Sequence, residues 1–90
     1  MYIVTASYSS HDDFNFWNVA LYNSADLADQ HAKHAQDYNE LALMESRKLV
    51  KDSKKYEKFW DNFENPWDLA CQYHGVPIHY SVEEIEIEDE

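Results

Sequence analysis

Between Tyr2 and Tyr8 the side chains alternate. Tyr2, Val4, Ala6 and Tyr8 share one parity, and Ile3, Thr5 and Ser7 the other. A period of two places successive side chains on opposite faces of a strand, so this spacing predicts a first β-strand over residues 2–8. The polar run Ser9-Ser10-His11-Asp12-Asp13 supplies a turn, and Phe14–Tyr22 reads as a second strand, close enough in sequence to form a hairpin with the first. Its faces are ambiguous, because Trp17, Val19 and Leu21 share one parity, Phe16, Ala20 and Tyr22 the other, and both sets are partly apolar.

The period then changes. Asn23 or Ser24 can cap a helix by accepting from a first-turn amide, and Asp26 and Asp29 suit its positive end. The stretch ADLADQHAKHAQDYNELALMESRKLV has no Gly or Pro, and Leu27, Ala28, His31, Ala32, Ala35, Tyr38, Leu41, Ala42 and Leu49 recur on one broad stripe. The alanines let such a helix lie close on a sheet. Leu27, Ala28, Ala35, Tyr38 and Ala42 are therefore expected to face it, whereas Gln36 is expected to tolerate a change to Glu. Arg47, Lys48 and Lys51 suit the negative helix end, and Asp52-Ser53 offers a break or a new cap.

A second, shorter helix carries Tyr56, Phe59, Trp60 and Phe63 as an aromatic ridge, stopped by Asn65-Pro66-Trp67-Asp68. Residues 65–77 read as irregular, and a last strand is expected from Ile78 to about Glu88. Its alternation changes phase, with Ile78, Tyr80 and Val82 on one parity and Ile85 and Ile87 on the other. A bulge near Glu83-Glu84 brings both sets to one face; without it the two ends bury opposite faces. The order β-β-α-α-β specifies an α+β fold of two layers, a small antiparallel sheet of about three strands with one long and one short helix on one face.

Ninety residues make one domain, residues 1–90, with room for a single core. Tyr, Phe and Trp number 7, 4 and 3, which argues for an ordered globule and against a disordered acidic segment. Cys71 has no second cysteine to pair with, a usage compatible with a reducing cytoplasm. MYIVTASYSS lacks the basic and long apolar regions of a signal peptide, and no apolar run is long enough to span a membrane. The expectation is a cytoplasmic protein.

The formal charge of −11 is unevenly spread. Six of the seven bases (Arg47, Lys48, Lys51, Lys54, Lys55, Lys58) lie in residues 47–58 beside Asp52 and Glu57, a local balance of +4 that leaves one base against sixteen acids, −15, elsewhere. Such a field repels nucleic acid over most of the surface and attracts basic protein surfaces. The same acidity also serves plain solubility.

The candidate chemistry is sparse. His31 and His34 stand three apart, as two metal ligands would on a helix, but a third ligand is not evident, and such a pair on an Ala-rich stripe is more often packed. Cys71 and His74 invite a thiolate–imidazole reading, yet no third group orients them, and an inert, buried cysteine is the commoner outcome. One glycine excludes a Gly-rich phosphate loop. The basic run RKLVKDSKKYEK with Tyr56, Phe59 and Trp60 is the one place suited to nucleic acid by charge and stacking, and its bases serve equally to neutralise acidic surface on the same or a neighbouring copy. No enzyme motif, cofactor site or metal site emerges.

The closing VEEIEIEDE remains. Glu83, Glu84, Glu86, Glu88, Asp89 and Glu90 make six carboxylates in the last eight residues. In a strand, Glu84, Glu86 and Glu88 stand about 6.6 Å apart on one side, a regular row of negative charge comparable to the phosphates of duplex DNA at ~3.4 Å per strand. Two readings stay open: a solvated edge guarded by charge against aggregation, or a surface recognised by a basic partner.

The opening YIVTASY, the strand leading into ALYNSADLADQHA, the NPWD after the helices and the close YSVEEIEIEDE together resemble small accessory proteins of tailed bacteriophages, a loose group without a common activity. The resemblance implies the cytoplasm of an infected bacterium. It also implies the class of acidic inhibitors of host defence, anti-CRISPR and anti-restriction proteins, some of which mimic DNA. The leading expectation is a stoichiometric inhibitor or modulator of a basic host nuclease or nucleic-acid-binding complex, without direct contact to nucleic acid or membrane. The alternative is a structural or assembly protein that forms a homodimer or hetero-complex through an exposed sheet edge.

Overall fold

The computed structural model describes residues 1–10, 13–71 and 75–86. Strands β1 (Tyr2–Ser9) and β2 (Phe14–Tyr22) are followed by helices α1 (Ala25–Arg47) and α2 (Ser53–Asp61) and by strand β3 (His79–Glu84). The sheet has three strands in the order β2-β1-β3, antiparallel at both junctions. This is the α+β arrangement expected from the chain order, with the N-terminal strand in the middle. Ser24 caps α1 by accepting from the Leu27 amide, and Asp52 caps α2 by accepting from the Lys55 amide.

The apolar ambiguity of β2 has a local cause. Val4 pairs with Ala20 but Thr5 pairs with Asn18, so Val19 is an extra residue in β2 and the parity flips there. Trp17 and Ala20 then share the face of Val4 and Ala6, while Phe14, Phe16, Asn18 and Leu21 share the opposite face with Ile3, Thr5 and Ser7. Of the two alternatives for the last strand, the one without a bulge at Glu83-Glu84 holds: β3 runs in unbroken register from Ser7↔His79 to Tyr2↔Glu84, and it ends at Glu84, short of the expected Glu88. The Ile85 amide bonds the Met1 carbonyl at 2.8 Å, one step past the strand. By parity Ile85 falls on the face opposite Tyr80 and Val82, so the two ends of this segment do serve opposite faces.

Helix α1 lies on the Val4 face through Ala28, Ala32 and Ala35, and its buried stripe continues through Asn39, Ala42 and Ser46, spaced alternately by four and three; Ala42, also expected on the sheet, lines the space between α1 and α2 instead. All six are small or short, which brings the helix axis close to the sheet and sets the core: Val4, Ala6, Ala28, Ala32, Ala35, Ile78 and Tyr80. Leu27, Tyr38 and Leu41 do not join this face; they are 51%, 39% and 57% exposed. They fall on the flanks of the small-residue stripe, and Tyr38 turns instead toward Phe63, with ring centroids 5.9 Å apart.

Gln36 also departs from expectation. Its side-chain Nε2 donates to the Ile78 carbonyl at 2.8 Å and its Oε1 accepts from the Tyr80 amide at 3.0 Å. One glutamine thus bonds the outer backbone edge of β3 as a neighbouring strand would.

The segment after α2 is held by Asn65 and Asp68, both 3% exposed. Asn65 Nδ2 donates to the Ala35 carbonyl at 3.1 Å, and its Oδ1 accepts from the Trp67 amide at 2.9 Å, forming an Asx turn. Asp68 accepts from Trp17 Nε1 at 3.1 and 3.0 Å and from the Tyr80 hydroxyl at 2.8 Å. Trp17 and Tyr80 both pair with Ala6, one from each side, so the carboxylate bridges both edge strands above the central alanine. Burial, and then the adjacent Asp68 carboxylate, push the Tyr80 phenol far above its ordinary value. The chain re-enters the sheet through Gly75, whose φ of 76° lies in the left-handed region. A Cβ there would stand 3.4 Å from the Tyr56 hydroxyl and 3.5 Å from Trp60 Nε1.

Two sets of outcomes test this architecture. Ala35→Glu should lose several kcal/mol in urea unfolding, since it overpacks the helix–sheet contact and buries a charge. Gln36→Glu should lose about 1–2 kcal/mol, because the carboxylate has no donor for the Ile78 carbonyl; an unchanged midpoint would reject the edge-bonding role of Gln36.

Asp68→Ala should lose roughly 3 kcal/mol by leaving the Trp17 and Tyr80 donors unsatisfied in the core. The Tyr80 phenol, raised in the folded state above its ordinary 10.0, contributes stability that is complete below that pH and is lost as pH rises beyond it. Urea midpoints should therefore fall above about pH 10, and fall less steeply in Tyr80→Phe, which removes this one titration.

Candidate functional site

The acidic surface begins at one end of α1. Tyr22, just before the helix, pairs with Tyr2, and Tyr2 pairs with Glu84, so the end of β3 and the start of α1 share one end of the molecule. Glu83, Glu84 and Glu86 are exposed there, and Asp26, Asp29, Asp37 and Glu40 continue along the solvent side of the helix. By strand parity Glu83 and Glu84 leave opposite faces of the sheet, and Glu86 lies beyond the strand. Of the evenly spaced row expected of Glu84, Glu86 and Glu88, only Glu84 lies in β3. Glu88, Asp89 and Glu90 lie outside the described residues.

Six of the seven bases collect at the other end, the seventh, Lys33, lying among the acids of α1. A 23-residue helix is ~34 Å long, and Arg47, Lys48, Lys51, Lys54, Lys55 and Lys58 surround its C-terminus and α2. Asp26 in the first turn of α1 and Arg47 in the last complement the helix dipole. The Cα envelope measures 56 × 29 × 16 Å, and the radius of gyration of 15.1 Å exceeds the ~12 Å usual for this length. Among the described residues the ion pairs are Lys48–Glu45 at 3.1 Å and Lys55–Asp52 at 4.0 Å, both local and exposed. None of the exposed acids named above at the β3 end and along α1 is in an ion pair with a described residue.

The histidine pair is used structurally. His31 Nε2 lies 2.6 Å from the Trp67 carbonyl and must donate to it, so in the neutral ring Nδ1 accepts from the Tyr22 hydroxyl at 2.7 Å. His34 stacks on the Trp67 ring, with centroids 4.7 Å apart and planes 20° from parallel. These contacts anchor the NPWD turn to α1 and occupy both His31 nitrogens. Among the described residues no group of three His, Cys, Asp or Glu side chains is placed to hold a metal ion. Cys71 is half-buried against the core, and the proposed partner His74 lies outside the described residues.

Of the aromatic ridge Tyr56, Phe59, Trp60 and Phe63, only Trp60 is fully drawn inward. Trp60 is buried, meeting Phe63 at 4.9 Å and Phe59 at 5.0 Å, both edge to face. Tyr56, Phe59 and Phe63 stay half-exposed, so burial of Trp60 removes one of the aromatic rings beside the basic run from any stacking role. Between α1 and α2 lies an open groove of about 680 Å³, floored by Tyr38, Leu41, Leu49, Phe59 and Phe63. Lys55, Lys58, Glu45 and Glu64 also line it, so its charged lining balances.

Sequence parity did not single out the second face of the sheet. Helix α1 covers the Val4 side, while on the other side Phe14, Phe16 and Leu21 are 69%, 55% and 56% exposed. Thr5 and Ser81 form a hydroxyl bond of 2.9 Å on this same side. The bulge at Val19 placed these apolar residues together, and a bulge leaves no sequence signature as distinct as a glycine turn. Among the described residues no helix is long and apolar enough to cross a membrane. No family model matches the chain, and no curated protein or solved structure matches it either.

Proposed function

We propose that this protein is a stoichiometric inhibitor or modulator that binds a basic, nucleic-acid-handling protein of a bacterial host, of the kind targeted by anti-CRISPR and anti-restriction proteins. The observation that carries this reading is the run of exposed carboxylates, from Glu83, Glu84 and Glu86 at the end of β3 to Asp26, Asp29, Asp37 and Glu40 along α1, none of them in an ion pair with a described residue. Carboxylates on a rigid helix and sheet end can enter a groove shaped for phosphates with little loss of side-chain freedom, and their summed field speeds encounter with a basic surface. Six of the protein's seven bases sit at the far end of α1; Lys33, one turn from both Asp29 and Asp37, offsets only part of the field, since the run holds seven exposed acids.

Binding is expected to be set by charge and to need no bond-making. Pull-down from a host lysate with mass spectrometry should retain a nuclease or an interference complex. Against that purified partner, Glu83→Gln, Glu84→Gln and Glu86→Gln combined should keep the fold and slow association several-fold, with dissociation little changed. Added salt should weaken the parent more than the variant, because screening acts on the charges the substitutions delete. Equal association rates and equal salt dependence would reject the acidic surface as the contact.

A further inference from the structure

The two edges of the sheet are treated differently. On β3 the outer backbone is already bonded by Gln36, through the Ile78 carbonyl and the Tyr80 amide, and the strand ends in Glu83 and Glu84. Both are devices that keep a second chain from adding to an edge. Strand β2, the opposite edge, is longer, nine residues against six, and FNFWNVALY contains no charged side chain. Its exposed Phe14 and Phe16 precede the Val19 bulge, so Phe14–Asn18 is a regular stretch of edge.

We infer that β2 is an assembly edge whose occupant is β2 of a second copy of this chain, joined antiparallel about a two-fold axis into a six-stranded sheet. Charge selects this occupant. A basic partner is drawn to the carboxylates on α1 and β3, whereas a strip without charge on a chain of net −11 best fits another strip without charge. Self-pairing centred on Phe16 sets that ring against its own copy and Phe14 against Asn18, on the sheet face that α1 leaves open. In that register each Asp13 opposes Val19 of the other copy, so no carboxylates are set face to face. With Phe14 and Phe16 more than half exposed in the monomer, joining two copies along Phe14–Asn18 removes on the order of several hundred Å² of surface, below the size of a standard specific interface. The dimer is therefore weak and concentration-dependent.

This inference is independent of the acidic-surface reading, and salt separates them. Two bodies of like charge repel, so raising salt from ~0.01 M to ~0.15 M, which shortens screening from ~30 Å to ~8 Å, should tighten the dimer several-fold, whereas it weakens binding to a basic partner. Sedimentation equilibrium of the full chain over a range of concentrations should show monomer and dimer, with the dimer favoured by salt. Phe16→Lys, on an exposed face and checked by circular dichroism, should raise the dimer dissociation constant about tenfold or more. Should it fail to fold, Phe14→Lys at the more exposed start of the strand makes the same test, and Glu83→Gln on the opposite edge should not weaken the dimer. A monomer at every concentration and salt, a dimer that salt dissociates, a dimer unmoved by lysine on β2, or β2 pairing only with a strand from a different protein would each overturn the inference.

Discussion

A buried carboxylate organises this small core. Asp68 accepts from Trp17 on one edge strand and from Tyr80 on the other, and the donors come from uncharged side chains. Removing a carboxylate from water is costly, and several hydrogen bonds in a low-dielectric site are what make such burial tolerable. The constraint acts outward from there. The carboxylate can reach both donors only because Ala6 separates them on the central strand, and the turn that delivers it is tied to α1 by Asn65 at the Ala35 carbonyl and by His31 at the Trp67 carbonyl. Long aliphatic side chains contribute little: the largest fully buried ones are Ile78 and Val4.

Charge has a different task. The ion pairs among the described residues are exposed and local to their helices, a type that contributes little to stability. Six of the seven bases gather past the C-terminus of α1 while acids run along the whole helix, so an elongated molecule carries an unevenly spread charge. A long amphipathic helix that outruns its sheet makes this uneven spread possible. It also leaves Tyr38 and Leu41 beside α2, flooring an open groove rather than a closed core.

The same core explains why the two sheet edges have different surroundings. Packing α1 on the small-residue stripe brings Gln36 to β3, where its amide bonds the strand's outer backbone. Strand β2 is held from above by Trp17 at Asp68 and by Tyr22 at His31, both contacts on the helix side. Its opposite face keeps Phe14, Phe16 and Leu21 in water, which places an apolar strip and an acidic surface on one small molecule.

Element identity and order were legible in the chain because they are written locally: alternation in Tyr2–Tyr8, the Ser24 and Asp52 caps, the break at Asn65-Pro66, and the absence of Gly and Pro from the long helix. The charge division was equally plain, since it needs only counting. What tertiary structure decided were the relations between distant positions. The Val19 bulge assigned the faces of β2, unbroken pairing with β1 gave β3 its parity, and the approach of α1 sent Gln36 inward and left Leu41 out. Asp68, one acid among eighteen in sequence, became the centre of the core because its donors lie 51 and 12 residues away. Local pattern records the conformation each segment prefers; which side chains satisfy one another across such separations is settled only when the segments pack.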